Sequence, residues 1–381
     1  MPAFVHRIET ALPEASYSQE RALEFMQEHV ATRPAVRRML RSLYRNSGIE
    51  RRHSVMGDWD GGAGDPLFLG PDGAIASPGT GARNAVYALE ARRLFEELAH
   101  RLTADEARSV THVITISCTG FFAPGPDYHV VRALGLPGST ERYHIGFMGC
   151  YAAFQGLKLA RTICDADPTA VVLVLSVELC TLHMQFSEDT DDLIAGAIFA
   201  DGASGALVSA RPPAEGEVAL ELHSFRSELA PEGEDAMAWT IGDQGFRMKL
   251  STYVPELLGS TMGPLLDRVL GEAGLDRDRI DWWAVHPGGR AILDRVQEAG
   301  TIPDHALAAS REILRRCGNM SSATILFVLD ELLRRGSAQA DDRILAMAFG
   351  PGLTIETGLL SLRKGPSALP ERVAPTLPER G

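Results

Sequence analysis

Four short apolar segments in the first half of the chain, each set off by turns or amphipathic stretches, constrain the fold more than any other feature. They are THVITISCTG, the run ending at Cys150, AVVLVLSVELC and GASGALVSA. Segments of this length, rich in Val, Ile and Leu and separated by helical patterns, read as buried strands of a covered sheet. Their alternation with helices predicts an α/β architecture. The second half repeats the scheme more loosely. ALELHSFRSEL, IDWWAVHPGG and the pair RILAMAFGPGLTIETGLLSL read as strands, VPELLGSTMGPLLDRVLGEAG and ATILFVLDELLRRG as helices. Two βαβ-rich halves are expected, 1–212 and 213–364, divided in the loop RPPAEGE, with a loose proline-bearing tail over 365–381.

Upstream, residues 18–47 carry helical spacing interrupted by Pro34 and end in a basic face of Arg37, Arg38, Arg41 and Arg45, which suits a solvated helix as well as an anion site. Met56 to Gly81 is dense in Gly, Pro and Asp and reads as a long loop; ARNAVYALEARRLFEELAHRL then forms an amphipathic helix.

The 381 residues, 45% hydrophobic, suffice for a large core in two fused halves. A formal net charge of −13 argues against nucleic acid as a partner, since phosphate backbones require a basic surface. No apolar run reaches the ~18 residues of a membrane span, and the N-terminus lacks a leader pattern, so no integral membrane segment is expected. Five scattered cysteines do not make a disulfide framework and fit a reducing cytoplasm. No Cys or His pair has ligand spacing, so no metal is expected; SEDTDD at 187–192 reads as a solvated loop, and GPG at 350–352 lacks the lysine of a phosphate loop.

Four of the five cysteines sit within apolar runs, where a free cysteine is usually a small buried hydrophobe. Cys150 differs: ERYHIGFMGCYAAFQGLKLARTI is a strand, a glycine-bearing turn and a helix starting at or just after the cysteine. A thiol there faces unpaired amides and the positive helix end, which favour thiolate. Catalysis and core packing stay evenly matched on this pattern alone. His286 ends the strand DWWAVHPGG at a Gly-rich turn, where α/β folds place functional side chains. Asn319 precedes a strongly apolar helix, as a cap or as a site residue. Together, Cys, His and Asn offer an acyl-accepting thiol, a proton partner and two neutral donors for an enolate, which suits decarboxylation of a malonyl thioester and carbon–carbon bond formation.

At these residues the sequence resembles the type III polyketide synthases, the chalcone synthase-like branch of the thiolase-fold condensing enzymes. The resemblance rests on GCYAAFQGLKLA around Cys150, WWAVHPGGRAILDRV around His286, CGNMSSATILFVLDEL around Asn319 and FGPGLTIET at 349–357, in order from about Val110 to Leu362. His286 and Asn319 are 33 residues apart (319 − 286), as in the chalcone synthases. It implies a five-layered αβαβα fold made of two duplicated halves, a homodimer, and a Cys150, His286, Asn319 catalytic set. It further implies free acyl-CoA and malonyl-CoA as substrates, and no metal or redox cofactor.

By the same resemblance Phe199 matches a gatekeeping phenylalanine and Met248 the second gate, where plant enzymes carry phenylalanine; Ser321 falls at a cavity serine. Arg45, Arg51 and Arg52 are the candidates for CoA contacts. Ala123 stands where plant enzymes carry a methionine reaching across the dimer. With Thr119, Cys118 and Cys180 it resembles bacterial synthases that accept long acyl chains and make alkylpyrones or alkylresorcinols, although Cys118 and Cys180 suit core packing almost as well. Trp239 is expected to shorten or redirect such a cavity. The rival readings are a ketoacyl synthase III-like enzyme fed by a carrier protein, favoured less by HPGG and GNMSSA, and a cysteine hydrolase.

Overall fold

The computed structural model describes residues 1–366 apart from 60–64, 231–232, 235, 252–253 and 337; the tail expected to be loose lies outside the described residues beyond 366. In chain order the strands are β1 Phe4–Ala11, β2 Ser16–Ser18, β3 Arg51–His53, β4 His112–Ser117, β5 Glu141–Gly146, β6 Val171–Leu179, β7 Asp201–Ser209, β8 Val218–Leu229, β9 Met237–Gly242, β10 Gly245–Leu250, β11 Trp282–Val285, β12 Arg343–Gly350 and β13 Thr354–Lys364.

Nine of them form one mixed sheet in the order β11-β12-β13-β8-β1-β7-β6-β4-β5. In one arm β4 and β6 run parallel while β7 and β1 are antiparallel; in the other β11 and β12 run parallel while β13 and β8 are antiparallel. The same topology therefore occurs twice. The arms meet between β1 and β8 through the pairs Phe4 with Glu221 and Val5 with Leu220.

Period-2 alternation sorts each strand between two cores. Leu173, Leu175 and Val177 of β6 join the cluster beneath the outer helix Thr80–His100, while Val172 and Val174 face inward. In the other arm Leu345 and Met347 of β12 pack outward with helices Val254–Glu272 and Arg290–Gly300, and Ile344 and Ala346 face inward. The inner cluster is filled by helices Ala152–Ala166 and Thr324–Arg334, which bury Phe154, Leu157, Ile325 and Val328 between both arms. A helix apolar on most of its circumference is stable only when covered. The result is five layers, helix, sheet, helix, sheet, helix.

Pro34 divides the upstream helical stretch into Gln19–His29, capped by Ser18, and Pro34–Asn46, where the proline occupies the first turn. The β9–β10 hairpin was not anticipated as an element. Among the described residues no helix is long and apolar enough to cross a membrane.

Candidate active site

The two middle helices and β11 bring three side chains to one place. Cys150 lies in the turn just before helix Ala152–Ala166. Gly149 makes that turn with φ +85°, and a Cβ there would stand 2.4 Å from Pro351 Cδ, so a side chain is excluded on both counts. The Gly149 N–H also donates to Cys118 Sγ at 2.9 Å, fixing the turn from beneath.

The sequence pattern favours a thiolate at Cys150, but in the unliganded site burial outweighs the helix end. Burial pushes the thiol up to about 12, opposed by hydrogen bonding from Ser321, raised further by the Glu178 carboxyl and opposed again by Asn319. Cys150 therefore rests as a thiol.

His286 continues β11 with its backbone N–H donating to Met347 O at 2.8 Å, then the chain turns through Pro287, Gly288 and Gly289. Its ring is 1% exposed, and neither nitrogen has a partner among the described residues. Burial alone drives it down to about 3, so the imidazole is neutral. A buried polar ring without partners costs free energy unless a ligand completes it.

Asn319 is oriented by its own loop. Its Oδ1 accepts the Ser321 N–H at 2.9 Å, so Nδ2 is the free face, donating to Gly288 O at 3.4 Å. Asn319 is not the cap of the apolar helix: Ala323 is the N-cap of Thr324–Arg334 and Met320 that of the turn Ser321–Ala323, neither through a side-chain bond, so the Asn319 oxygen holds its own loop at Ser321 N and its amide hydrogens are left as donors.

Cys150, His286 and Asn319 line a single cavity, whose lining also includes Leu43, Asn46, Ser47 and Arg290. A second, mostly apolar cavity adjoins it and is walled by Cys118, Thr119, Cys180, His183, Trp239 and Ser321. Cys150, Phe199, Met237 and Met248 border both, so Phe199 and Met248, the positions expected to form a gate, stand at the junction.

Polar groups behind the second cavity are already satisfied. Thr119 Oγ1 donates to Glu178 Oε2 at 3.0 Å and accepts the Leu179 N–H at 2.9 Å. Glu178, fully buried, also accepts from Cys118 N at 2.9 Å and from Ser322 Oγ; burial raises its pKa. Burial likewise pushes the Cys118 and Cys180 thiols well above the ordinary range, as expected of packing rather than reactive cysteines. His183 donates through Nε2 to Thr119 O at 2.7 Å and accepts the Phe246 N–H at Nδ1 at 2.9 Å, and burial lowers it to about 4. Trp239 donates to Cys118 O at 2.8 Å and meets the His183 ring edge-on.

Family models for the N-terminal and C-terminal domains of chalcone and stilbene synthases match residues 1–212 and 221–363. The chain belongs to this family, the type III polyketide synthases.

Among its relatives in the family, the alpha-pyrone synthesis polyketide synthase-like Pks18 of Mycobacterium tuberculosis is 33% identical over 261 residues, 67% of this chain and 66% of that protein. The 1,3,6,8-tetrahydroxynaphthalene synthase of Streptomyces coelicolor is 29% identical over 357 residues, 93% of this chain and 90% of its own. PKS-I of the brown alga Ectocarpus siliculosus superimposes with a TM-score of 0.86 at 29% identity, covering 95% of this chain and 98% of that one. The type III domain of Steely1 from Dictyostelium, at 24% identity, shares the fold with a TM-score of 0.85 over 95% of this chain and 99% of that domain.

Not every family position inferred from sequence faces these cavities. Ala123 is exposed and on neither cavity wall within the chain. Arg52 is a correction: it is fully buried, and its Nη1 donates to Gly196 O and Phe199 O, each at 2.8 Å, beneath the gate. Arg51 is corrected too, since it bonds Ser16 Oγ at 2.8 Å and lines a separate surface cleft with His53 and Arg315. Arg45 is exposed on helix Pro34–Asn46, but its neighbours Leu43 and Asn46, not Arg45, line the cavity. Sequence reasoning missed Glu178, His183, Met237 and Arg290. The alternation of Met237, Trp239 and Ile241 before the Asp243–Gln244 turn was the available signal for the hairpin carrying one of them.

Proposed function

We propose that the protein condenses malonyl-CoA onto an acyl group held by Cys150. The observation carrying this reading is that Cys150, the unpartnered His286 and the oriented amide of Asn319 share one cavity in a chain of this family. In the first step the Cys150 thiol attacks the acyl-CoA carbonyl while its proton passes to His286 and then to the departing CoA thiolate. The neutral ring and the Asn319 amide next hold the malonyl thioester carbonyl. Carbon dioxide leaves, and the enolate oxygen is stabilised by two neutral donors without a counter-charge. The enolate carbon attacks the acyl-cysteine carbonyl, the new carbon–carbon bond forms as the carbon–sulfur bond breaks, and the Cys150 thiolate that leaves takes up a proton from solvent. This chemistry needs the thioesters and side chains only, and we propose that it runs without metal or redox cofactor.

The starter we propose is a medium or long aliphatic acyl-CoA, and the product an alkylpyrone or alkylresorcinol. The second cavity supports this through its apolar lining at Cys180, Met184, Met237 and Met248, where each buried methylene is worth ~0.8 kcal/mol. The likeness to a protein named for alpha-pyrone synthesis agrees.

A cytoplasmic homodimer is part of the same proposal, with each chain a 1–212 and a 213–364 half. Its support is β5, an edge strand with Glu141, Arg142, Tyr143 and His144 exposed, beside exposed Phe121 and Tyr128. An open edge bearing aromatic side chains invites pairing.

The test is incubation of the purified protein with malonyl-CoA and acyl-CoAs from acetyl to stearoyl, with products identified by mass spectrometry. Pyrones or resorcinols from the longer starters are expected. Hydrolysis without malonyl consumption would instead make it a cysteine hydrolase, and reaction only with carrier-bound malonate would make it a ketoacyl synthase III-like enzyme.

A further inference from the structure

CoA thioesters carry several phosphate charges, and the protein is strongly acidic overall, so a nucleotide at the cavity mouth needs a local cation. Of the arginines read from the sequence, Arg52 is buried, Arg51 occupies another cleft, and Arg45 lies off the cavity wall. Among the residues lining the cavity of Cys150, His286 and Asn319, Arg290 is the one lysine or arginine. We propose that Arg290 binds a phosphate of the CoA nucleotide and thereby selects CoA thioesters over shorter ones. This rests on reading the cavity as the thioester's entry.

The local structure leaves Arg290 available for that task. Its side chain is 56% exposed. The stem runs beside the Gly48 turn, where an added Cβ would stand 3.3 Å from Arg290 Cβ and 3.7 Å from its Cδ, so the base of the side chain is placed by that turn. Asp294 approaches the guanidinium only at 3.5 Å, and its Oδ1 is taken by Arg311 at 2.7 Å. An exposed pair of this kind is weak and exchanges readily for a phosphate, which accepts two parallel hydrogen bonds from guanidinium. Arg290 also opens helix Arg290–Gly300, which has no acidic residue in its first turn and no side-chain cap. Its first amides precede the Leu293 N–H, which bonds Gly289 O at 3.3 Å. Deeper in the same cavity the buried, unpartnered His286 awaits the thioester end. The pantetheine arm would thus run between a phosphate at Arg290 and a carbonyl at His286.

The experiment has two arms on wild type, R290E and R290K. Calorimetry measures the affinity for free CoA, independently of turnover. Kinetics measures the ratio of kcat/KM for malonyl-CoA to that for malonyl-N-acetylcysteamine, which lacks the nucleotide. R290E is expected to weaken CoA binding about tenfold and lower the ratio by a similar factor, with R290K retaining most of both. Equal CoA affinity in wild type and R290E would overturn the assignment, as would an equal loss on both thioesters. If wild type binds CoA through Arg290 yet never condenses malonyl-CoA, the synthase reading fails and the phosphate site stands.

Discussion

The backbones of Phe199 and Asn319 are bridged side by side: Asn319 N–H donates to Ile198 O and Ala200 N–H donates to Asn319 O, each at 2.9 Å. Phe199, at the junction of the two cavities, and Asn319, whose amide we propose as a donor to the reacting carbonyl, are therefore one mechanical unit. Arg52 clamps that unit from below through the carbonyls of Gly196 and Phe199.

Replacing Arg52 by Met takes away the partner of the Phe199 carbonyl, at ~1–3 kcal/mol, while Gly196 O keeps the Tyr44 hydroxyl at 3.0 Å; the loss is offset by removing a buried charge whose Nε and Nη2 have no partner among the described residues. We expect a net loss of about 1 kcal/mol, read as a lower urea midpoint, together with a broadened starter profile because the Phe199 carbonyl is no longer clamped. An unchanged midpoint would show that the clamp contributes nothing.

Cys150→Ala removes the one thiol at the head of a middle helix that also borders both cavities. We expect no acyl adduct by intact-protein mass spectrometry after exposure to acyl-CoA, and no condensation product. An adduct of undiminished yield in this variant would move the nucleophile elsewhere.

The α/β fold of two halves was legible because its strands are short apolar runs buried on both faces and separated by helical patterns, a signal that survives in a single sequence. Cys150, His286 and Asn319 were legible through their turns: glycine at 149, Pro-Gly-Gly after His286, Gly318 before Asn319. Charge was not. Arg45, Arg51 and Arg52 look alike in sequence, yet one is on an open helix face, one bonds a serine, and one is sealed under the gate. Which arginine meets the cavity depends on tertiary placement, and Arg290 was overlooked inside a motif read for its histidine. The burial that raises the Cys150 pKa was hidden for a related reason: the pattern displays the helix end but conceals the depth of burial.

Trp239 lies directly across the β9–β10 hairpin from Met248, so floor and gate are one cross-strand pair. Trp239→Ala removes the indole that bonds Cys118 O and opens the second cavity. We expect preference to shift toward longer acyl-CoAs, with the kcat/KM ratio of long to short starters rising about tenfold, as two or so further chain methylenes seated in the vacated space at ~0.8 kcal/mol each would give. A product profile identical to wild type across the acyl-CoA ladder would dismiss this wall as the length determinant.

The neutrality of His286 carries a cost in acid. Its folded pKa, lowered by burial to about 3, lies below the ordinary 6.5, so the unfolded chain binds a proton between those values that the folded chain does not. Its presence has no effect on the pH slope of stability above 6.5, where both states are neutral. As pH falls from 6.5 toward 3 it disfavours folding by up to ~1.4 kcal/mol per unit. His183, lowered to about 4, acts in the same direction, so the measurement must be a difference between variants. His286→Gln keeps a neutral polar side chain and removes the titration. We expect wild type to lose urea stability relative to this variant as pH is lowered from 7 to 4, and a gap that stays constant over that range would mean that His286 is protonated in the folded protein as readily as in the unfolded one.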